Sequence, residues 1–300
     1  MGEVLFTTND VANILRVDKS TIKRWTDEGK LKCFRTPGGH RKFRSDDVYE
    51  FITSNNYGKE TLQAFPQVIS DEMIIRSIVN QREYNMLHSV CFSAAIKGNK
   101  EELLTLFTET ISAGLSVAAL FDHVLKPTTK KLNFLIQQNK LSVSEYRLAH
   151  TMLFSVIIKL NDTVSKLPKN FKTVVCASIE NGKNEIELTA LMTLLEVNGY
   201  TVLNLGTGIN AEAINQFVTR TKPYAVALYS ALAENKEQLN AEMRSVAEYA
   251  KSNGSYCFIG GNGFSGIDLS QLDTVRCCGS YEEFEALEIS KLKSNISLHK

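Results

Sequence analysis

Tryptophan occurs once in the 300 residues, at Trp25, and no window approaches the ~18 consecutive apolar residues that a bilayer-spanning helix needs. The N-terminus also lacks the cationic, apolar, small-residue progression of a signal peptide, so the cytoplasm is the expected location and no membrane partner is expected. The six cysteines are Cys33, Cys91, Cys176, Cys257, Cys277 and Cys278. Only the last two are close together, and none shows the two-residue spacing of a zinc site; buried thiols in a reducing compartment, with no metal, are expected. A surplus of one charge is missing too, since 34 Lys and Arg face 33 Asp and Glu for a net charge of +1. That average excludes a uniformly basic nucleic-acid coat. No nucleophile stands beside an identifiable base and no carboxylates pair at a defined spacing, which argues against an enzyme.

What the chain does contain is concentrated near its start. Between Arg16 and Arg44 there are ten Lys and Arg against Asp18, Asp27 and Glu28, so seven positive charges remain in that stretch, enough for several phosphate contacts. Within it, Phe34-Arg35-Thr36-Pro37-Gly38-Gly39-His40-Arg41-Lys42-Phe43-Arg44 is written as a short basic hairpin. Pro37 and the glycines suit a tight reversal, and a phenylalanine on each arm can pin it to a small core. Upstream, Thr8-Asn9-Asp10 can cap a helix carrying Val11, Ala12, Ile14 and Leu15, and Asp18-Lys19-Ser20 can begin a second with Ile22 and Trp25 inward. Lys19, Ser20, Thr21, Lys23 and Arg24 then share the outward face, where a groove could receive them. Trp25 belongs to the core that so small a domain needs.

Residues 6–52 resemble the winged helix-turn-helix of the MerR family, with Arg35-Thr36-Pro37-Gly38-Gly39-His40-Arg41 as the specific signature. The resemblance implies binding to double-stranded operator DNA with the second helix in the major groove. It also implies that Arg35, His40, Arg41 and Lys42 hold the backbone or the adjacent minor groove. Arg41, expected in the loop after the glycines, would be the leading minor-groove or phosphate contact.

Residues 1–56 therefore form the expected DNA-binding domain, and polar, breaker-rich residues 57–69 a linker. From Ser70-Asp71-Glu72 the apolar residues recur at helical spacing through Leu160, so 70–166 is expected to be a bundle of four or five helices. Near Lys169 the register changes. Strands at 173–177, 200–205, 225–229, 255–259 and 275–278 alternate with helices at 184–198, 211–221, 235–252 and from Tyr281, so 167–300 is expected to be a doubly wound parallel sheet, a Rossmann-like α/β domain. Gly206-Thr207-Gly208 and Gly261-Asn262-Gly263 match a dinucleotide fingerprint as text, but neither follows the first strand, and ordinary βα turns are expected.

This order of domains resembles the cobalamin-dependent light-sensing repressors of carotenoid genes, and the last two thirds resembles the cobalamin-binding module of methionine synthase. In those families a histidine from the first βα loop ligates cobalt, within an acid-x-His-x-x-Gly motif. Counting back from Gly199 puts those roles at Gly182, Asn184 and Glu187, and none of the residue types is kept. The family's upper-face Trp and Glu-His pair fall at Ile136, Tyr146 and Arg147; His150 lies nearby in another register. Ser230-Ala231-Leu232 and Gly260-Gly261 do match the later motifs, and small residues at strand ends also suit the fold alone. An asparagine amide has no lone pair to offer a transition metal. The expectation is a transcription regulator, a repressor by resemblance, that binds operator DNA as a homo-oligomer without cobalamin or another cofactor, its C-terminal domains serving assembly, a partner protein or an unknown small ligand. The alternatives are a repressor responsive to cobalamin or another small ligand, and a corrinoid-dependent enzyme or carrier.

Overall fold

The computed structural model describes residues 5–15, 17–44, 47–48, 50–51, 72–179, 185–230, 235–264 and 275–286, which fall into compact units spanning 1–156 and 157–300.

In the head, β1 (Leu5–Thr7) leads into α1 (Thr8–Leu15), and α2 (Lys19–Asp27) is followed by the hairpin of β2 (Phe34–Arg35) and β3 (Arg41–Arg44). The first cap sits one residue earlier than expected. Thr7 and Asp10 bond reciprocally, Asp10 N–H to Thr7 Oγ1 at 3.2 Å and Thr7 N–H to Asp10 Oδ2 at 2.7 Å, a capping box that fixes where the strand ends and the helix starts. Val17 N–H then reaches back to Ala12 O at 3.0 Å to close α1 before α2 begins. The strands order as β1-β3-β2, antiparallel, with buried Phe6 opposite buried Phe43. Val11, Ala12, Leu15, Ile22, Trp25, Leu31, Val48 and Phe51 complete a core, Trp25 lying 5.1 Å from Phe51 between ring centroids. Each such large side chain contributes about 1.5–3 kcal/mol on full burial. Of the hairpin's two phenylalanines only Phe43 pins an arm; Phe34 stays exposed.

The helical segment contains α3 (Glu72–Gln81), α4 (Tyr84–Lys97), α5 (Lys100–Ser112), α6 (Val117–Leu120), α7 (Lys126–Gln137) and α8 (Val143–Thr163). Its expected start at Ser70-Asp71 lies outside the described residues. Between α6 and α7 the backbone does not break; Phe121–Leu125 widens into a π-turn, with Lys126 N–H bonded to Phe121 O. Pro127 supplies the cause, because in a regular helix its ring would collide with the carbonyl of His123 and leave it without a donor.

In the second unit β4 (Thr173–Ser178), α9 (Glu185–Val197), β5 (Thr201–Thr207), α10 (Ala211–Thr221), β6 (Ala225–Tyr229), α11 (Lys236–Ser252), β7 (Tyr256–Gly260) and β8 (Val275–Cys278) alternate, with a last helical turn at 281–286. All pairs are parallel and the order is β5-β4-β6-β7-β8, the doubly wound arrangement expected from the alternation. Ile214 and Val218 of α10 and Leu239, Met243 and Val246 of α11 pack on Val226, Leu228, Cys257 and Ile259. Asn235, expected inside α11, is instead its cap, accepting from Gln238 N–H at 3.1 Å. The cysteines are not uniformly buried: Cys91, Cys176, Cys257 and Cys278 are, but Cys33 is half-buried and Cys277 exposed.

Candidate nucleic-acid interface

The outward face of α2 is the one expected. Lys19, Ser20, Lys23 and Arg24 are exposed and Thr21 is half-buried, while Ile22 and Trp25 face the core. Among the described residues Lys19, Lys23 and Arg24 form no salt bridge, so their charge is available to an external anion. The helix N-terminus adds its own partial positive charge at Lys19 and Ser20.

The wing turns through Pro37, Gly38 and Gly39. Gly39 N–H donates to Thr36 O at 2.8 Å, Gly39 takes φ 79°, and Thr36 N–H closes the loop on His40 O at 2.9 Å. A type I turn followed by a left-handed glycine is how a three-residue hairpin loop reverses. His40 lies exposed on this loop and Lys42 half-buried on β3, opposite Phe34.

Arg41 differs from expectation. It starts β3 rather than sitting in the loop, and its register partner across the hairpin is Arg35. Like charges directly opposite repel. Asp27, at the end of α2, resolves the conflict: its Oδ1 lies 2.5 Å from Arg41 Nη2 and 3.4 Å from Arg35 Nη2. The Arg41 side chain is only 15% exposed whereas that of Arg35 is 59% exposed, so Arg41 is half of a latch between wing and helix and Arg35 the more accessible cation. Sequence reasoning counted Asp27 only as a subtracted charge. The available signal was an acid at a helix end facing two arginines placed in register by a hairpin. Nearby, Lys32 is held by Glu50 at 2.8 Å, and the hydrogen bond from Lys30 to Glu28 keeps that carboxyl below its ordinary value.

The positions suggested by the corrinoid resemblance fall on several elements in each unit. Asn184, Gly182 and Leu232 lie outside the described residues. Ile136 is half-buried on α7, Arg147 is exposed on α8, and Tyr146 Oη donates to Asn133 Oδ1 at 2.9 Å, its ring 6.2 Å from His150. Glu187 is buried in the first turn of α9, its carbonyl accepting from Tyr281 Oη at 3.1 Å. Ser230 is buried beyond β6, where its N–H donates to Gly260 O at 3.0 Å and its carbonyl accepts from Gly263 N–H at 2.9 Å. A Cβ at Gly261 (φ 95°) would collide with Ser230 O, and one at Gly263 with Ser230 Oγ. The chain's own close approach requires these glycines. Among the described residues no three His, Cys, Asp or Glu are grouped to hold a metal ion, and no helix is long and apolar enough to cross a membrane.

Residues 5–56 match a helix-turn-helix domain family. The same part of the chain is similar to the transcriptional repressor DcmR of Methylorubrum extorquens, 36% identical over 52 residues, which is 17% of this chain and 20% of that protein. The chain thus spans about a fifth of the length of the curated relative it matches. Its fold is also similar to the monomethylamine corrinoid protein of Methanosarcina barkeri, with a TM-score of 0.54 and 16% sequence identity over 68% of this chain and 99% of that one. The chain therefore combines a helix-turn-helix head with a fold shared by a corrinoid protein.

Proposed function

We propose that the protein is a transcription regulator, a repressor, that grips operator DNA with α2 and the wing and acts as a homo-oligomer in the cytoplasm rather than as an enzyme. The observation that carries this is the exposed row of Lys19, Ser20, Lys23 and Arg24 on a helix fixed to the core by Ile22 and Trp25, beside a basic wing. Arg35, His40 and Lys42 supply the backbone contacts, and Arg41 orients the wing and closes on phosphate where it can. The helix-turn-helix match and the similarity to a repressor support the reading.

The corrinoid-like fold is kept without a set of residues that fits the cofactor. Glu187 stands where the resemblance places a close-approach glycine, and the Asn184 amide offers cobalt no lone pair. Gel filtration after mixing with adenosylcobalamin is expected to yield colourless protein; comigrating red colour would overturn this part.

The test of the main reading is fluorescence anisotropy on a duplex selected from a random pool. Replacing Lys23 or Arg24 by Ala is expected to weaken binding and to lower the salt slope by about one for each phosphate no longer neutralised. A selected duplex bound no better than a scrambled one, or indifference to both substitutions, would sink it.

A further inference from the structure

The segment joining α8 to β4 carries features that DNA binding does not use. Phe171 is 92% exposed and holds φ 57°, a left-handed conformation that is costly for a bulky residue. Its neighbours over-determine that strain. Asn170 N–H donates to Gly199 O at 3.0 Å, Asn170 Nδ2 to Asn198 O at 3.3 Å, Lys172 N–H to Asn170 Oδ1 at 3.0 Å, and Thr201 N–H to Lys172 O at 2.9 Å. Strain held this firmly at a solvent-exposed aromatic points to use rather than accident.

The same segment and the start of β5 line a cavity of about 300 Å³, formed by Leu167, Lys169, Tyr200, Thr201 and Val202 with the Lys166–Glu196 pair at 3.0 Å. Leu167 is itself 55% exposed. Thr201 and Val202 open β5, the edge strand of the sheet, which contains no Lys, Arg or Pro to blunt it. Because Thr201 N–H points inward to Lys172 O, alternation turns the backbone groups of Val202 and Asn204 outward, where no described residue meets them. The open stretch ends at Gly206, whose N–H is taken by Asn204 Oδ1 at 2.7 Å.

The charge beside this edge is mainly positive, with Glu196 the one acid lining the cavity. Residues 166–172 include Lys166, Lys169 and Lys172 and no acid, and Glu196 answers only part of it.

We propose that Thr201–Asn204 of β5, with the adjoining cavity and Phe171, is a docking edge for an extended acidic segment of a partner protein that adds as a further strand, seats an apolar side chain in the cavity and places a carboxylate against Lys169. Main-chain bonds to Val202 and Asn204 supply affinity, and the cavity and Lys169 supply selection. Phe171 covers the seated side chain as an aromatic anchor.

The test uses the full chain and a fluorescein-labelled octapeptide alternating glutamate with phenylalanine and valine. The same peptide with lysine for glutamate, and one N-methylated at alternate residues, serve as controls. Polarisation is expected to show the acidic peptide binding about tenfold tighter than the basic one, with Phe171→Ala and Lys169→Glu each weakening it about fivefold and N-methylation abolishing it. Equal binding of acidic and basic peptides, or indifference to Phe171→Ala or to N-methylation, would overturn the proposal. Both substitutions lie on exposed side chains, and unchanged affinity for the selected duplex separates this site from the head.

Discussion

At the scale of single residues, the head depends on one carboxylate that charge counting treats as a loss. Asp27 is 57% exposed, so its ion pair with Arg41 is worth no more than about 1 kcal/mol to stability. Its larger effect is on geometry, because it holds together two arginines that the hairpin register would push apart. Asp27→Ala is expected to lower the melting temperature by only a few degrees yet weaken operator binding about tenfold, by letting the wing swing. In a double-mutant cycle with Arg41→Ala, calorimetry and anisotropy should both show the second substitution adding little. Full additivity in binding would mean that Arg41 acts on DNA independently of the latch. The outward row of α2 was legible because Ile22 and Trp25 fix the helix phase. The placement of Arg41 was not, since whether a residue after two glycines joins the loop or the strand depends on which of Gly38 and Gly39 takes the left-handed conformation.

Elements were legible wherever apolar periodicity and a terminator agreed, as at Ala211–Thr221, Ala225–Tyr229 and Val275–Cys278, which match expectation residue for residue. Periodicity is silent about how a helix accommodates a proline, so the π-turn at Phe121–Leu125 was not foreseen. The same bundle sets an acid limit. Burial lowers the pKa of His88 to about 4, helped by the positive charge of Lys131 and opposed by a hydrogen bond to the Pro127 carbonyl. The native state therefore keeps a neutral imidazole where the unfolded chain would take a proton at the ordinary value of 6.5. Its contribution to stability is complete above about pH 6.5 and is lost as pH falls toward 4. Thermal melts between pH 7 and 4 should show this decline, and His88→Met should flatten it; an unchanged slope would assign acid lability elsewhere. Gly261 supplies a parallel prediction in the sheet. With φ 95° and a Cβ that would strike Ser230 O, Gly261→Ala should destabilise the sheet domain by on the order of 1–3 kcal/mol. Chemical denaturation without any corrinoid would measure it, and a neutral result would return this glycine to a ligand-binding explanation.

For the whole molecule, the question is what some two hundred residues of helices and sheet do for a small DNA-binding head. The head has buried apolar residues of its own, from Phe6 to Phe51. A single module of this size buries about 600–1,000 Å² on DNA, which is modest for tight and selective binding. Linking heads converts the second contact into an intramolecular one and multiplies affinity about 10²- to 10⁴-fold without any new side chain. The sheet's fold was legible from alternation alone, but its purpose was not, because the same strand order serves a corrinoid carrier and an assembly scaffold equally well. Affinity as a function of chain length separates the roles. Residues 1–56 should bind a single half-site about as well as the full chain does, and should bind the complete operator about a hundredfold or more weakly than the full chain. Light scattering of the full chain should show an oligomer that the fragment does not form. If the fragment held the complete operator as tightly as the full chain, the large C-terminal part would have no role in multiplying contacts with DNA, and its docking edge at β5 would become the principal account of why it is there.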